Sequence, residues 1–296
     1  MDGIINVLKP PGMTSFDVIG HLRRVLETKK IGHAGTLDPD AAGVLPVFAG
    51  KATKAIEFMM EKEKVYRAEM TLGITTDTGD SSGEIIETRS VNVGEAEIVK
   101  AILSFKGKYM QVPPMYSALK VEGQKLYELA RKGITIERKP REVTITDIRV
   151  INIKTENNLS RVIYQVECSK GTYIRTLCED IGNKLGCGGH MSFLLRLRAG
   201  MFDISRALTL EEIEAYAKSN SLSDKLISAE EVFASYPKVK LDETQLKRFL
   251  NGVHIESNLK QAEVTAVYNQ KGEFIGLGEV IKSQEGYILK SRKLFL

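Results

Sequence analysis

Between Gly32 and Val47 the chain reads Gly-His-Ala-Gly-Thr-Leu-Asp-Pro-Asp-Ala-Ala-Gly-Val-Leu-Pro-Val. Gly and Pro punctuate the segment, so it reads as a turn. It connects a basic helix to an apolar run and presents the carboxylate of Asp38, with no metal-ligand cluster nearby. Asp-Pro is also a common helix start, since Asp caps free amides and Pro fits the first helical position. Spacing alone leaves Asp38 as either a cap or a chemical group.

The remaining bulk properties narrow the setting. A chain of 296 residues can bury a sizeable core and suits two domains. The start, Met1-Asp2-Gly3-Ile4-Ile5-Asn6-Val7-Leu8, has no cationic n-region, long apolar run or cleavage site. Nothing approaches the ~18 apolar residues of a membrane span. A soluble, cytoplasmic monomer without a membrane partner is expected. Cys168, Cys178 and Cys187 form no disulfide framework and read as buried free thiols. Cys187 and His190 lack the second pair that a zinc site needs. Between Lys120 and Arg141, Lys120, Lys125, Arg131, Lys132, Arg138, Lys139 and Arg141 face only Glu122, Glu128 and Glu137. That local excess equals the whole net charge of +4. It suits either a polyanion partner or a solvated helix face.

Periodicity supplies the elements. Ile4 to Leu8 is strand-like, and Lys9-Pro10-Pro11-Gly12 is a turn. Residues 15–27 form a helix that Ser15 can cap, with Phe16, Val18, Ile19, Leu22, Val25 and Leu26 at helical spacing. A helix is expected over 52–61. Val65 to Leu72 alternates, placing Tyr66, Ala68, Met70 and Leu72 on one face of a half-buried strand. The loop Asp77-Thr78-Gly79-Asp80-Ser81-Ser82-Gly83-Glu84 lacks calcium-loop spacing and reads as a turn-rich connection without metal. Helices are expected over 95–105, 124–132 and 173–185, and strands over 142–153 and 160–168. Thr209 and Glu212 make a capping box for a helix through Ala217. Beyond Tyr236-Pro237 come a helix over 242–251 and a hairpin of 264–268 with 274–281, in a composition that suits a small β-barrel.

The Asp38 segment closely resembles the catalytic motif of the TruB family of tRNA pseudouridine synthases. Lys9-Pro10-Pro11-Gly12, Lys64-Val65-Tyr66-Arg67, Ser169-Lys170-Gly171-Thr172-Tyr173-Ile174-Arg175-Thr176-Leu177 and Ser192-Phe193-Leu194-Leu195-Arg196-Leu197-Arg198 extend the match in order. The likeness covers residues 2–235 strongly and 236–296 moderately.

The resemblance implies an α+β pseudouridine-synthase fold, a mixed, mainly antiparallel sheet flanked by helices. Residues 1–235 would form the catalytic domain, with a basic thumb-like insertion at 111–141. Residues 236–296 would form a PUA-like RNA-binding barrel. It implies conversion of uridine to pseudouridine at position 55 of the tRNA T loop, with no cofactor and no metal. Asp38 would be the nucleophile, at C1′ or at C6. Arg175 would be its ion-pair partner, lowering its pKa. Tyr66 would stack on the base, and Tyr173 would line the uracil pocket. Leu194 would wall the pocket, Lys9 would support the aspartate loop, and His33 would fill the gap left by the flipped base. The T arm would lie in the cleft and the acceptor end at the PUA-like domain. A guide-RNA-dependent, dyskerin-type subunit is the alternative enzyme, and a tRNA-folding chaperone role is a further one. Asp40 lacks the match and is expected as a helix N-terminal carboxylate.

Overall fold

A computed structural model describes residues 1–117, 119–121, 123–284 and 286–296. Of the basic segment, Glu122 and the side chains of Lys120 and Lys125 lie outside the described residues. The elements run β1 (Gly3–Lys9), α1 (Ser15–Val25), β2 (Ile31–His33), β3 (Ala42–Ala49), α2 (Ile56–Met60) and β4 (Lys64–Leu72). Next come β5 (Ile74–Thr76), β6 (Ile85–Thr88), α3 (Glu95–Leu103), β7 (Gly107–Gln111), β8 (Lys120–Val121), β9 (Gln124–Lys125) and α4 (Leu126–Ala130). The long hairpin β10 (Arg141–Glu156) and β11 (Leu159–Cys168) precedes α5 (Ile174–Lys184), β12 (Gly189–Ala199), β13 (Phe202–Asp203), α6 (Leu210–Lys218) and α7 (Ala229–Val232). The tail holds β14 (Lys238–Lys240), α8 (Glu243–Leu250), β15 (Ile255–Glu256), β16 (Ala262–Tyr268), β17 (Phe274–Ser283) and β18 (Gly286–Leu294).

Among the described residues, nine strands share one sheet along the path β1-β3-β12-β4-β11-β10-β7, with β2 on β3 and β13 on β12. Only the β3–β12 pairing within it is parallel, so the expected mixed, mainly antiparallel sheet is what forms. The alternation in β4 holds in part: Ala68, Met70 and Leu72 are fully buried against Val162, Tyr164, Val166, Leu177 and Ile181, Tyr66 is partly buried, and Val65 and Thr71 on the opposite face are buried as well. On the other side of the molecule α1 packs Val18, Ile19 and Leu22 with Ile5, Val7 and Leu45.

Local chemistry moved several boundaries. Thr14, not Ser15, caps α1: its Oγ1 accepts from Asp17 N (3.0 Å) and the Asp17 carboxylate accepts from Thr14 N (2.8 Å). Of the helix expected over 52–61, Gly50–Ala55 is a 3₁₀ turn, tightened by Thr53 Oγ1 donating to Gly50 O (2.7 Å). The helix expected over 124–132 shortens to α4, because Gly123, at φ +84, turns the preceding residues into the β8–β9 hairpin.

The tail strands pair in the order β14-β16-β17-β18-β15, a curled half-barrel. Its aromatics join the first sheet's core. Phe233 is buried and meets Phe58 edge-on (5.2 Å) while stacking on Phe274 (6.1 Å). No helix among the described residues is long and apolar enough to cross a membrane. All three cysteines are free and buried.

Candidate active site

Asp38 lies on the connection from β2 to β3, with no helix after it. The capping alternative for Asp38 therefore fails, and so does the helical reading of Asp40, which is exposed in the turn. Three neighbours fix this connection. Lys9, at the end of β1, is fully buried, and its Nζ donates to Pro10 O (2.8 Å), Pro39 O (2.8 Å) and Ala41 O (2.7 Å). Burial pushes this lysine down to about 8, against the pull of Asp40 and Asp38. Ser15 Oγ donates to Leu37 O (3.1 Å) and accepts from Leu37 N (2.9 Å), so α1 is tied to the residue before Asp38. Arg196 on β12 is the third. Its buried guanidinium donates from Nε to Val44 O (2.7 Å) and from one terminal nitrogen to Gly35 O (2.9 Å). Gly43 lets the β3 and β12 backbones approach here: at φ +113, a Cβ there would lie 2.2 Å from the backbone O of Arg196.

Arg175 enters from the first turn of α5, and its side chain is only 8% exposed. Its Nε lies 3.3 Å from the Asp38 carboxylate and a terminal nitrogen 3.3 Å from the Asp80 carboxylate. It also donates to Thr78 O (3.2 Å) and Tyr116 O (2.6 Å). A planar fork suits this bridging duty, and a lysine could not span it. The polar loop 77–84 is thus part of the site rather than a bystander. It is pinned by Ser81 N to Met191 O (3.1 Å), and Asp80 is oriented by Thr78 Oγ1 (2.7 Å).

The charge balance at Asp38 departs from the sequence expectation. Burial pushes its carboxyl above the usual aspartate range, Arg175 opposes this, and Asp80 adds to the rise. The guanidinium does favour the ionised form, but desolvation outweighs it. The side chain remains 41% exposed, so it stays open to a substrate.

Tyr66, on β4, is paired in register with Arg196 on one side and Val166 on the other. It is partly buried against the core, and burial raises its phenol while Arg196 opposes. Leu194 is a buried member of the same cluster. Tyr173 stands at the N-terminal boundary of α5 without a side-chain cap and is held by Gln111, whose amide exchanges hydrogen bonds with its backbone N (2.8 Å) and O (3.0 Å). His33 ends β2 and meets Phe16 edge-on (5.8 Å); burial, aided by Arg196, holds its imidazole below the ordinary range.

Sequence reasoning missed Asp80 and Arg196. The signal for Arg196 was a lone cation inside the apolar run Leu194-Leu195-Arg196-Leu197. For Asp80 it was a carboxylate beside Gly79 in a loop with no helix to cap.

Family comparison decides what this constellation belongs to. Residues 23–174 match the model of the TruB family pseudouridylate synthase N-terminal domain. The chain belongs to the TruB family. Residues 175–254 match the tRNA pseudouridylate synthase B C-terminal domain, and 237–288 match the pseudouridine synthase II TruB C-terminal model. Among TruB relatives, a protein of Clostridium kluyveri named tRNA pseudouridine synthase B is 47% identical, covering 100% of both chains. One of the same name from Bacillus subtilis is 41% identical over 100% of this chain and 98% of its own. A chain of the crystal structure of a Cbf5-Nop10-Gar1 complex superposes with a TM-score of 0.74 at 27% identity, over 99% of this chain and 85% of that one.

Proposed function

We propose that the chain isomerises uridine to pseudouridine at position 55 in the T loop of tRNA. The observation that carries the reading is Asp38, held on a locked loop and addressed by a buried Arg175. The target base must leave its stack to reach it. The Asp38 carboxylate attacks C1′ or C6, the N1–C1′ bond breaks, and the uracil turns within the pocket. C5 then bonds to C1′, the carboxylate is released, C5 loses its proton and N1 gains one. One nucleophile suffices, because the leaving base is recaptured rather than lost to water. Tyr66 forms the floor under the base and places a phenol near C5. Tyr173 and Leu194 wall the pocket, Lys9 supports the loop, and His33 stands at the rim to fill the gap in the RNA. No cofactor enters this scheme.

Residues 1–235 act as the catalytic domain, 111–141 as a basic thumb, and 236–296 as a PUA-like grip on the acceptor end, in a cytoplasmic monomer. A guide-RNA-dependent role is less favoured. The match to tRNA pseudouridine synthase B proteins is full-length at 41–48% identity, against 27% for the Cbf5 complex. Incubating the purified chain alone with an unmodified tRNA transcript tests the proposal. Pseudouridine should form at position 55 and be absent when cytidine stands there. A requirement for a second RNA would instead support the guide-dependent alternative.

A further inference from the structure

The outward face of α1 carries a feature that the catalytic scheme leaves unused. Phe16 is 72% exposed, the most exposed of the large apolar side chains among the described residues. A single exposed apolar residue is ordinary on a protein surface. This one is not free-standing. Its ring is braced edge-on by His33 (5.8 Å, 84°), and its neighbour Ser15 is hydrogen-bonded in both directions to Leu37, next to Asp38. The ring is therefore fixed relative to the catalytic carboxylate.

Along the same helical stripe follow Gly20 and Arg23, both exposed. A Cβ at Gly20 would meet nothing within 4 Å, so the stripe has a gap between ring and cation. Arg23 sits seven residues along the helix, about 10 Å from Phe16. Exposed Lys30, just before β2, lies about 10 Å from His33 on the returning strand. Arg24 and Lys29 are exposed beside them. The nearby ion pairs of Glu214 with His21 and Lys218 leave these cations out. Of the local anions, Asp17 is engaged in the cap with Thr14, and Glu27 ends the helix in a left-handed turn.

We propose that Phe16, braced by His33, is a stacking platform for a loop nucleotide neighbouring the target uridine, with Arg23 and Lys30 taking the phosphates beyond it. A flat ring with a glycine gap and Arg23 about 10 Å along the helix, with Lys30 on the strand that ends at the bracing His33, matches a single-stranded segment laid base-first on the protein. The inference rests on the proposed RNA substrate and adds a contact outside the proposed basic thumb, residues 111–141.

The test is the affinity of the full chain for an unmodified tRNA transcript, with turnover and thermal unfolding followed in parallel. Phe16→Ala should weaken binding at least about fivefold and raise KM, with kcat and unfolding unchanged. Phe16→Tyr should restore affinity, while Phe16→Leu, apolar but not flat, should not. Replacing Arg23 and Lys30 together by Gln should lower the slope of log affinity against log salt by about 1.4 to 1.8. Wild-type affinity in Phe16→Ala, or full rescue by leucine, overturns the platform while leaving the proposed function intact. Absence of both binding and turnover in the wild-type chain removes the function and the platform with it.

Discussion

At the residue scale, the Asp38–Arg175–Asp80 triad is an electrostatic balance. One guanidinium is shared by two carboxylates, each 3.3 Å away. As the proposed nucleophile Asp38 must be ionised, and its folded-state carboxyl lies above the usual aspartate value of about 3.9. The acid limb of kcat/KM should therefore have its midpoint above that value. Arg175→Gln removes the strongest influence favouring the ionised form, so the limb should move further to alkaline pH. A limb that stays put would show that Arg175 does not address Asp38. Arg175→Lys keeps a charge but not the fork, and kcat should fall about 100-fold. Asp38, Tyr66 and Arg175 were named in the sequence only through the family resemblance of the segments that hold them, and the structure sets Arg175 beside Asp38. Asp80 was not, because its function exists only where the loop 77–84 is pinned against β12 and α5. The sign of the Asp38 shift was equally hidden, since desolvation depends on walls brought together by distant segments.

At the element scale, β12 ties the Asp38 loop to the sheet. Arg196 satisfies carbonyls of Gly35 and Val44 that would otherwise be buried without donors. Arg196→Met should cost about 3 kcal/mol, seen as a fall in Tm of roughly 5–10 °C. No change in Tm would mean that other donors replace it. The strand itself was not anticipated. Its more exposed positions Phe193, Leu195 and Leu197 are apolar as well, and its buried face holds Arg196, which removes the polar alternation that revealed β4. The basic segment gives a second prediction. Arg138 is half-buried and donates to Pro113 O (3.2 Å), so it supports the segment rather than facing solvent. Lys139 and Arg141 are exposed. Neutralising all three should therefore flatten the salt dependence of tRNA binding by the equivalent of two contacts, about 1.8, not three. An unchanged slope would return the segment to a solvated face.

At the scale of the whole molecule, the tail sheet is built onto the first sheet rather than strung beside it. Phe233 packs between Phe58 and the tail residues Phe274 and Phe295, and Lys54 donates to Leu294 O. Sequence composition changes near Tyr236, but side chains pack across that change, which no local pattern encodes. Phe233→Ala should destabilise the chain by about 3–5 kcal/mol and lower the single unfolding transition. Two separated transitions in the wild-type chain would contradict a shared core. Asp180 adds a pH dependence to stability. Burial pushes its carboxyl from 3.8 up to about 6. The folded state then holds more protons than the unfolded state between about pH 4 and 6, so this residue's contribution to stability falls as pH rises through that window. Asp180→Asn should remove the decline and raise stability at pH 7 by about 1 kcal/mol, allowing for solvent screening. The central claim remains that Asp38 carries the reaction. Tritium release from tRNA labelled at uridine C5, measured with the purified chain alone, tests it most directly. The wild-type chain should release tritium, and Asp38→Asn should release none while binding tRNA within a few-fold of wild type. Continued release from Asp38→Asn would contradict the assignment.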